Sequence, residues 1–294
     1  MYKRQQYSSY SSRIKEHIQK LERVGWGAFP PMIMAVFTKE SNEDLIWDFL
    51  DACERFNFLV FAISHRASNT QNSNLYRKAR EYYVGDLDIE TLTHEIDFIT
   101  DGEDEEYYRG WFDLERFKNH IKELFSKNDR DGFYSWSGLR CFLYEYELHL
   151  QDNANSKVTW EDFNKRKKED TIEHIYPQSA NDIYWKKRFG HLKPTERRLY
   201  LNSLGNLLLL SRSKNSKLQN YDFDKKKCLK SKEGKDIGYY NGSYSEIEVA
   251  KESEWTTERI KERGLSMLQF MEERWKFKFK DWEIEKEEIL FPTK

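Results

Sequence analysis

Nearly every apolar pattern in this chain repeats with the period of a helix. The strand-like exceptions are two short segments, 170–176 and 205–210. That imbalance predicts a mainly α protein with one small β element. Ile14, Ile18 and Leu21 recur at helical spacing before Gly25, a natural stop. A second helix starts at Pro31, and Asn42 caps a third that has Glu43 and Asp44 in its first turn and runs to about Ser64. Further helical stretches fall at 73–84, 88–99, 114–126 and 136–150. The stretch KNDRDGFYSWSG at 127–138 imitates a calcium loop at Asp129, Asp131 and Gly132. Lys127 and Gly138 stand where such a loop needs carboxylates, so it reads as a turn.

The polar run QDNANSKVTWEDFNKRKKED has no apolar periodicity and marks a boundary. It divides the chain into a helical domain, 1–154, and a second domain, 155–294. In the second, a strand TIEHIY is closed by Pro177, and residues 181–203 read as two helical pieces broken at Pro194. GNLLLL forms the other strand. Ser211 or Ser213 caps a helix of about 213–230 that carries Asn215. The last strong amphipathic helix turns Ile260, Leu265, Leu268 and Trp275 to one face.

Net charge is only −2, but it is unevenly spread. Residues 212–235 hold nine Lys/Arg against three Asp/Glu, and such a basic run beside candidate catalytic residues suits a polyanion. Residues 101–106 hold five acids. Aromatics, at 16% of the chain, serve core packing first, though they can also stack on bases. The three cysteines, Cys53, Cys141 and Cys228, form no CxxC pair, which argues against a disulfide framework or a Cys-rich zinc site and for a reducing, cytoplasmic compartment. The start, MYKRQQYSSYSSR, has no signal-peptide pattern, and the longest apolar runs are too short to span a bilayer.

Four residues carry the chemistry: Glu173, His174, Asn206 and Asn215. A phosphodiester repels nucleophiles, and a hard cation such as Mg2+ (or Mn2+) offsets that charge while needing only one or two protein oxygens. Glu173 offers a carboxylate and Asn215 an amide oxygen as metal ligands. His174 is the natural general base near neutral pH, and Asn206 is placed to orient its ring. Glu173 and His174 are adjacent and leave a strand on opposite sides, so a bend near Pro177 is needed for both to serve one site. Lys186, Lys187, Arg188, His191, Arg212, Lys214, Lys217 and Lys226 are the candidate nucleic-acid contacts.

EHIYPQS and GNLLLLSRSKN are each weak signals alone. In this order, with Asn206 and Asn215 nine residues apart, they resemble an HNH nuclease whose last His is Asn. Together with YDFDKKK and the final Trp-bearing helix they resemble the C-terminal nuclease family of GmrSD-type modification-dependent restriction systems, over roughly 155–280. That resemblance implies a small ββα-metal (HNH, His-Me finger) core within a mainly α chain. It implies metal-dependent endonuclease action on DNA, in restriction of foreign or modified phage DNA. Many relatives carry a nucleotidase domain with a DGQQR-like motif, which this sequence lacks. The chain is therefore expected to be a nuclease subunit or a fragment, working with a separate nucleotide-hydrolysing subunit or a missing N-terminal domain. The alternatives are a nucleic-acid-binding or sensing module with a decayed site and an RNA-cleaving toxin.

Overall fold

The computed structural model describes residues 10–104, 108–127, 131–151 and 170–292, with the backbone alone at 103, 104, 108, 109, 170, 171 and 212. The protein is mainly α and forms two compact units, Met1–Phe117 and Lys118–Lys294. The boundary expected at 154/155 lies outside the described residues.

The first unit is built on α1 (Ser12–Val24), α2 (Pro30–Lys39), α3 (Glu43–Phe56), α4 (Asn72–Val84) and α5 (Ile89–Asp101). Ile14 and Leu21 of α1, Phe49 and Phe56 of α3 and Leu92 of α5 are buried in one core. Asn42 caps α3 by accepting from the Asp44 amide at 3.0 Å. The helix expected to continue to Ser64 changes winding at 57–63, where the backbone is π-helical and the Ser64 amide reaches back to the Leu59 carbonyl. A short antiparallel pair, β1 (Gly102–Asp104) and β2 (Tyr108–Arg109), follows α5.

The helix α6 (Leu114–Ser126) runs across the division between the units. Next come a 3-10 turn at Gly132–Ser135 and α7 (Leu139–Leu150). Sequence patterning assigned α7 to the first domain, but it belongs to the second unit. Its aromatic face explains why: Phe142 and Tyr146 meet Phe270 with ring centroids 5.9 and 5.5 Å apart. The site is framed by β3 (Asp170–His174) and β4 (Leu207–Ser211), which pair antiparallel with Glu173 opposite Leu208 and His174 opposite Leu207. The chain between them carries α8 (Ile183–Phe189), α9 (Pro194–Asn202) and a 3-10 turn at Leu204–Asn206.

After β4 the chain enters α10 (Arg212–Leu218), which packs on both strands, and then α11 (Phe223–Cys228). The single helix expected over 213–230 is thus two. Gln219 adopts a left-handed φ of 46°, and Asp222 opens α11 by accepting from the Lys225 amide at 2.9 Å. A 3-10 turn at Tyr239–Asn241, α12 (Tyr244–Ala250), α13 (Thr257–Trp275) and α14 (Trp282–Leu290) complete the unit. Trp185, Leu208, Leu210, Phe223, Trp255 and Ile260 are buried together around the strand pair.

Gly205 fixes how β4 begins. A Cβ there would lie 2.0 Å from the Ile260 carbonyl oxygen and 2.7 Å from the Gly264 amide nitrogen, both backbone atoms of α13. This close approach lets Arg263 donate from Nη1 to the carbonyls of Gly205 and Leu207 at 2.9 and 3.0 Å. Backbone atoms cannot move aside as a flexible side chain can. Gly205→Ala is therefore expected to destabilise the protein by about 2–3 kcal/mol or more, read from urea unfolding. A change within error would show that the approach is not rigid.

Candidate active site at the end of strand β3

Side chains alternate along a strand, so the last two residues of β3 face different surroundings. His174 is buried, and its ring lies against Tyr134 from the 3-10 turn at a centroid distance of 4.7 Å, with the ring planes tilted by 33°. Its Nε2 lies 3.2 Å from Oδ1 of Asn202, at the end of α9. The amide of Asn202 is oriented by its own second bond, Nδ2 donating to the Arg198 carbonyl at 3.3 Å. With Nδ2 so engaged, Oδ1 accepts from Nε2–H of the imidazole. The tautomer this sets keeps the lone pair on Nδ1, which makes no hydrogen bond among the described residues. Burial, and secondarily the Lys226 charge, hold the pKa of His174 down at about 4, against the opposing Asn202 bond and the Asp131 charge. The ring is consequently neutral at pH 7.

Glu173 has partners of its own. Its Oε1 accepts from Lys226 Nζ of α11 at 2.6 Å and from the Tyr239 hydroxyl at 3.1 Å. Lys226 is fully buried and also donates to the carbonyls of His174 and Ile175 at 3.2 and 3.1 Å. Burial pushes the Glu173 carboxyl upward in pKa, while Lys226 and Tyr239 pull it down. A bend is expected to let Glu173 and His174 serve one site; their hydrogen-bond partners come from different elements.

Asn206 is the centre of a separate knot. Its Oδ1 accepts from the Tyr176 amide at 2.8 Å and from Trp255 Nε1 at 3.0 Å, and its Nδ2 donates to the carbonyls of Tyr176 and Leu201 at 3.0 and 2.9 Å. That exhausts the hydrogen bonds an amide side chain ordinarily makes. Asn206 therefore pins the backbone two residues beyond His174, and the ring bond expected from it is made by Asn202. Asn215 sits half-buried on α10, against the same two strands.

A family model described as GmrSD restriction endonucleases, C-terminal domain, matches residues 115–270, more than half of the chain. The chain belongs to that family. No curated protein and no solved structure matches it. The matched stretch opens at α6 and closes within α13, so it contains both strands and α10 together with the Tyr134 turn.

Of the basic residues named from sequence, Lys226 is corrected: at 0% exposure it cannot meet a phosphate, because Glu173 has drawn it into the interior. Arg188 lies 3.6 Å above the Tyr184 ring and pairs with Glu254 at 3.0 Å. Lys214 is ion-paired with Glu246. Lys186, Lys187, His191 and Lys217 are exposed, whereas the side chain of Arg212 lies outside what the structure describes. Sequence reading missed Asn202, Tyr134 and Tyr239. Lys226 lay in the noticed YDFDKKK run, but nothing in its spacing marks one lysine as buried.

Nucleases of this kind usually need a divalent metal, and the donor set can be tested for one. Among the described residues, no group of three or more His, Cys, Asp or Glu side chains could hold a metal. A closed protein cage is therefore not formed by them. What is present is the Glu173 carboxylate, whose Oε2 takes no hydrogen bond among the described residues, and Asn215 on the adjoining α10. One carboxylate oxygen and one amide oxygen fit a hard cation that keeps most of its ligands as water and substrate phosphate.

Proposed function

We propose that the second unit is an HNH-type, metal-dependent endonuclease that hydrolyses DNA phosphodiesters, in restriction of foreign or modified DNA. The observation that carries this reading is the His174 ring. It lies against Tyr134 and is fixed through Nε2 by Asn202, and burial keeps it neutral, so Nδ1 is left to take a proton. The order β3, β4, α10 supports a ββα-metal core, and membership of the restriction endonuclease family supports DNA as substrate.

In this reading His174 Nδ1 accepts the proton of the attacking water. Asn202 holds the ring through Nε2 and stabilises the imidazolium that forms. Glu173 Oε2 and the Asn215 amide oxygen would hold Mg2+ or Mn2+, which when bound offsets the charge on the scissile phosphate and leaving oxygen. Asn206, through the Tyr176 backbone and Trp255, keeps the turn after His174 in place.

The experiment is digestion of supercoiled plasmid by the full chain, on plain and modified DNA, with Mg2+, with Mn2+ and with EDTA, alongside an RNA of equal length. Nicking or cutting of DNA that EDTA abolishes is the expected outcome. Binding without turnover in either metal would sink the nuclease reading in favour of a decayed site. RNA cleavage alone would replace DNA as the substrate.

A further inference from the structure

The loop that follows His174 and the next two helices enclose a cavity of about 320 Å³, lined among others by Tyr176, Gln178, Asn181, Lys186, Phe189 and Arg197. Its wall is stiff, because Tyr176 and Phe189 stack with centroids 3.9 Å apart and ring planes 13° apart. Its chemistry is one-signed: two cationic side chains and two amides converge, and no acidic residue lines it. Arg197 is the unusual member. Its Nε is enclosed yet has no hydrogen-bond partner among the described residues. A buried donor on a charged group is costly to leave unmet, and a guanidinium fork is shaped for an oxyanion that takes two bonds at once. Neither Arg197 nor Lys186 has a carboxylate within ion-pair distance among the described residues, unlike neighbouring Arg188. The cavity also adjoins the proposed catalytic ring: Tyr176 lies two residues beyond His174, and Arg197 shares α9 with Asn202, which bonds that ring.

We propose that this cavity is an oxyanion subsite in which Arg197 and Lys186 grip a backbone phosphate of the DNA, next to the one cleaved. The proposal rests on the nuclease reading for the identity of the ligand but not for the existence of the site. It differs from the basic run at 212–235, whose lysines are exposed, ion-paired or turned inward. A phosphate held here fixes the register of the strand against His174 without reading its sequence.

The test uses the full chain in EDTA, so that binding is read without turnover. A fluorescein-labelled DNA duplex of about 20 base pairs is titrated at several salt concentrations, with wild type, Arg197→Gln, Arg197→Lys and Lys251→Gln compared. Arg197→Gln should weaken binding about tenfold and lower the salt slope by about 1. Arg197→Lys, which keeps the charge and loses the fork, should fall between. Lys251→Gln, an exposed lysine that does not line the cavity, should change affinity less than about twofold. Lys186→Gln, at an exposed position, gives the same sign of effect and serves where Arg197→Gln does not fold.

In parallel, the melting temperature is measured in inorganic phosphate against chloride at equal ionic strength. Wild type should be raised by phosphate, and Arg197→Gln should not. Equal protection of both overturns the site whatever the DNA does. Protection lost in Arg197→Gln with unchanged DNA affinity overturns the assignment to the DNA backbone. A wild type that phosphate protects, but that neither binds nor cuts DNA, sinks the nuclease reading and leaves the oxyanion site standing.

Discussion

Lys226→Met should destabilise the protein by about 3–5 kcal/mol, the largest loss of stability expected from a single change at this site. Lys226 is 0% exposed, and its ammonium spends its three protons on Glu173 Oε1 and the carbonyls of His174 and Ile175. Removing it strands a buried carboxylate that keeps one hydrogen bond, from Tyr239. Such a carboxylate responds by taking a proton, so the loss should be greatest at high pH and shrink as pH falls towards the raised pKa. The sign follows because the folded Glu173 then binds a proton that the unfolded chain releases. Glu173→Gln with Lys226→Met removes both charges at once, and the double variant should recover much of the stability lost by the single one. Urea unfolding at pH 6 and pH 9 across the cycle measures this. A Lys226→Met protein as stable as wild type at pH 9 would mean that the pair is open to water. The same cycle bears on the metal, since Lys226→Met keeps the carboxylate while removing the cation that competes for it.

The residues that were legible in the sequence are those whose role is local. The helix expected from Pro31, which begins one residue earlier at Pro30, the cap at Asn42, the two strands and the break before Pro194 follow from spacing, caps and fixed φ, all of which act within a few residues. The EHIYP and GNLLLLSRSKN segments were legible as secondary structure, because strand spacing and the cap at Ser211 are local: they supply the two paired strands and the start of the helix that follows. Three things were not. Asn202 and Asn206 are the same residue type four positions apart, and what separates them is where α9 ends: Asn202 is on its last turn, bonded to His174, while Asn206 ends the following 3-10 turn, bonded to Trp255. Tyr134 comes from a stretch with no helical or strand period, and only tertiary packing lays it on the imidazole. Lys226 sits among three consecutive lysines, where composition implies solvent, and a partner 53 residues away decides that this one is buried. Each miss is a long-range contact that overrides a local prior.

His174→Ala should reduce DNA cleavage by about 10²–10⁴-fold or more while leaving the fold intact, the largest expected effect on activity. The deleted ring contributes its packing against Tyr134 and one hydrogen bond, so some stability is lost, and the Asn202 amide must find water. Far-UV circular dichroism and a melting curve establish that the variant is folded before its activity is read. Asn202→Ala provides the comparison that separates chemistry from support. It leaves Nδ1 in place but frees the ring to turn and to change tautomer, so about 10–100-fold should be lost, in kcat more than in KM. Asn206→Ala should act differently again, because it breaks four bonds to backbone and Trp255 and none to the ring. Its loss should appear first as a lowered melting temperature, with the activity of the folded fraction less affected than in His174→Ala. A folded His174→Ala protein that still cuts DNA at the wild-type rate would remove the imidazole from the reaction. The ordering of the three variants then tests the tautomer argument itself. If Asn206→Ala proves worse for kcat than Asn202→Ala at equal folded fraction, the residue that orients the base is Asn206, and the bond seen to Asn202 is incidental.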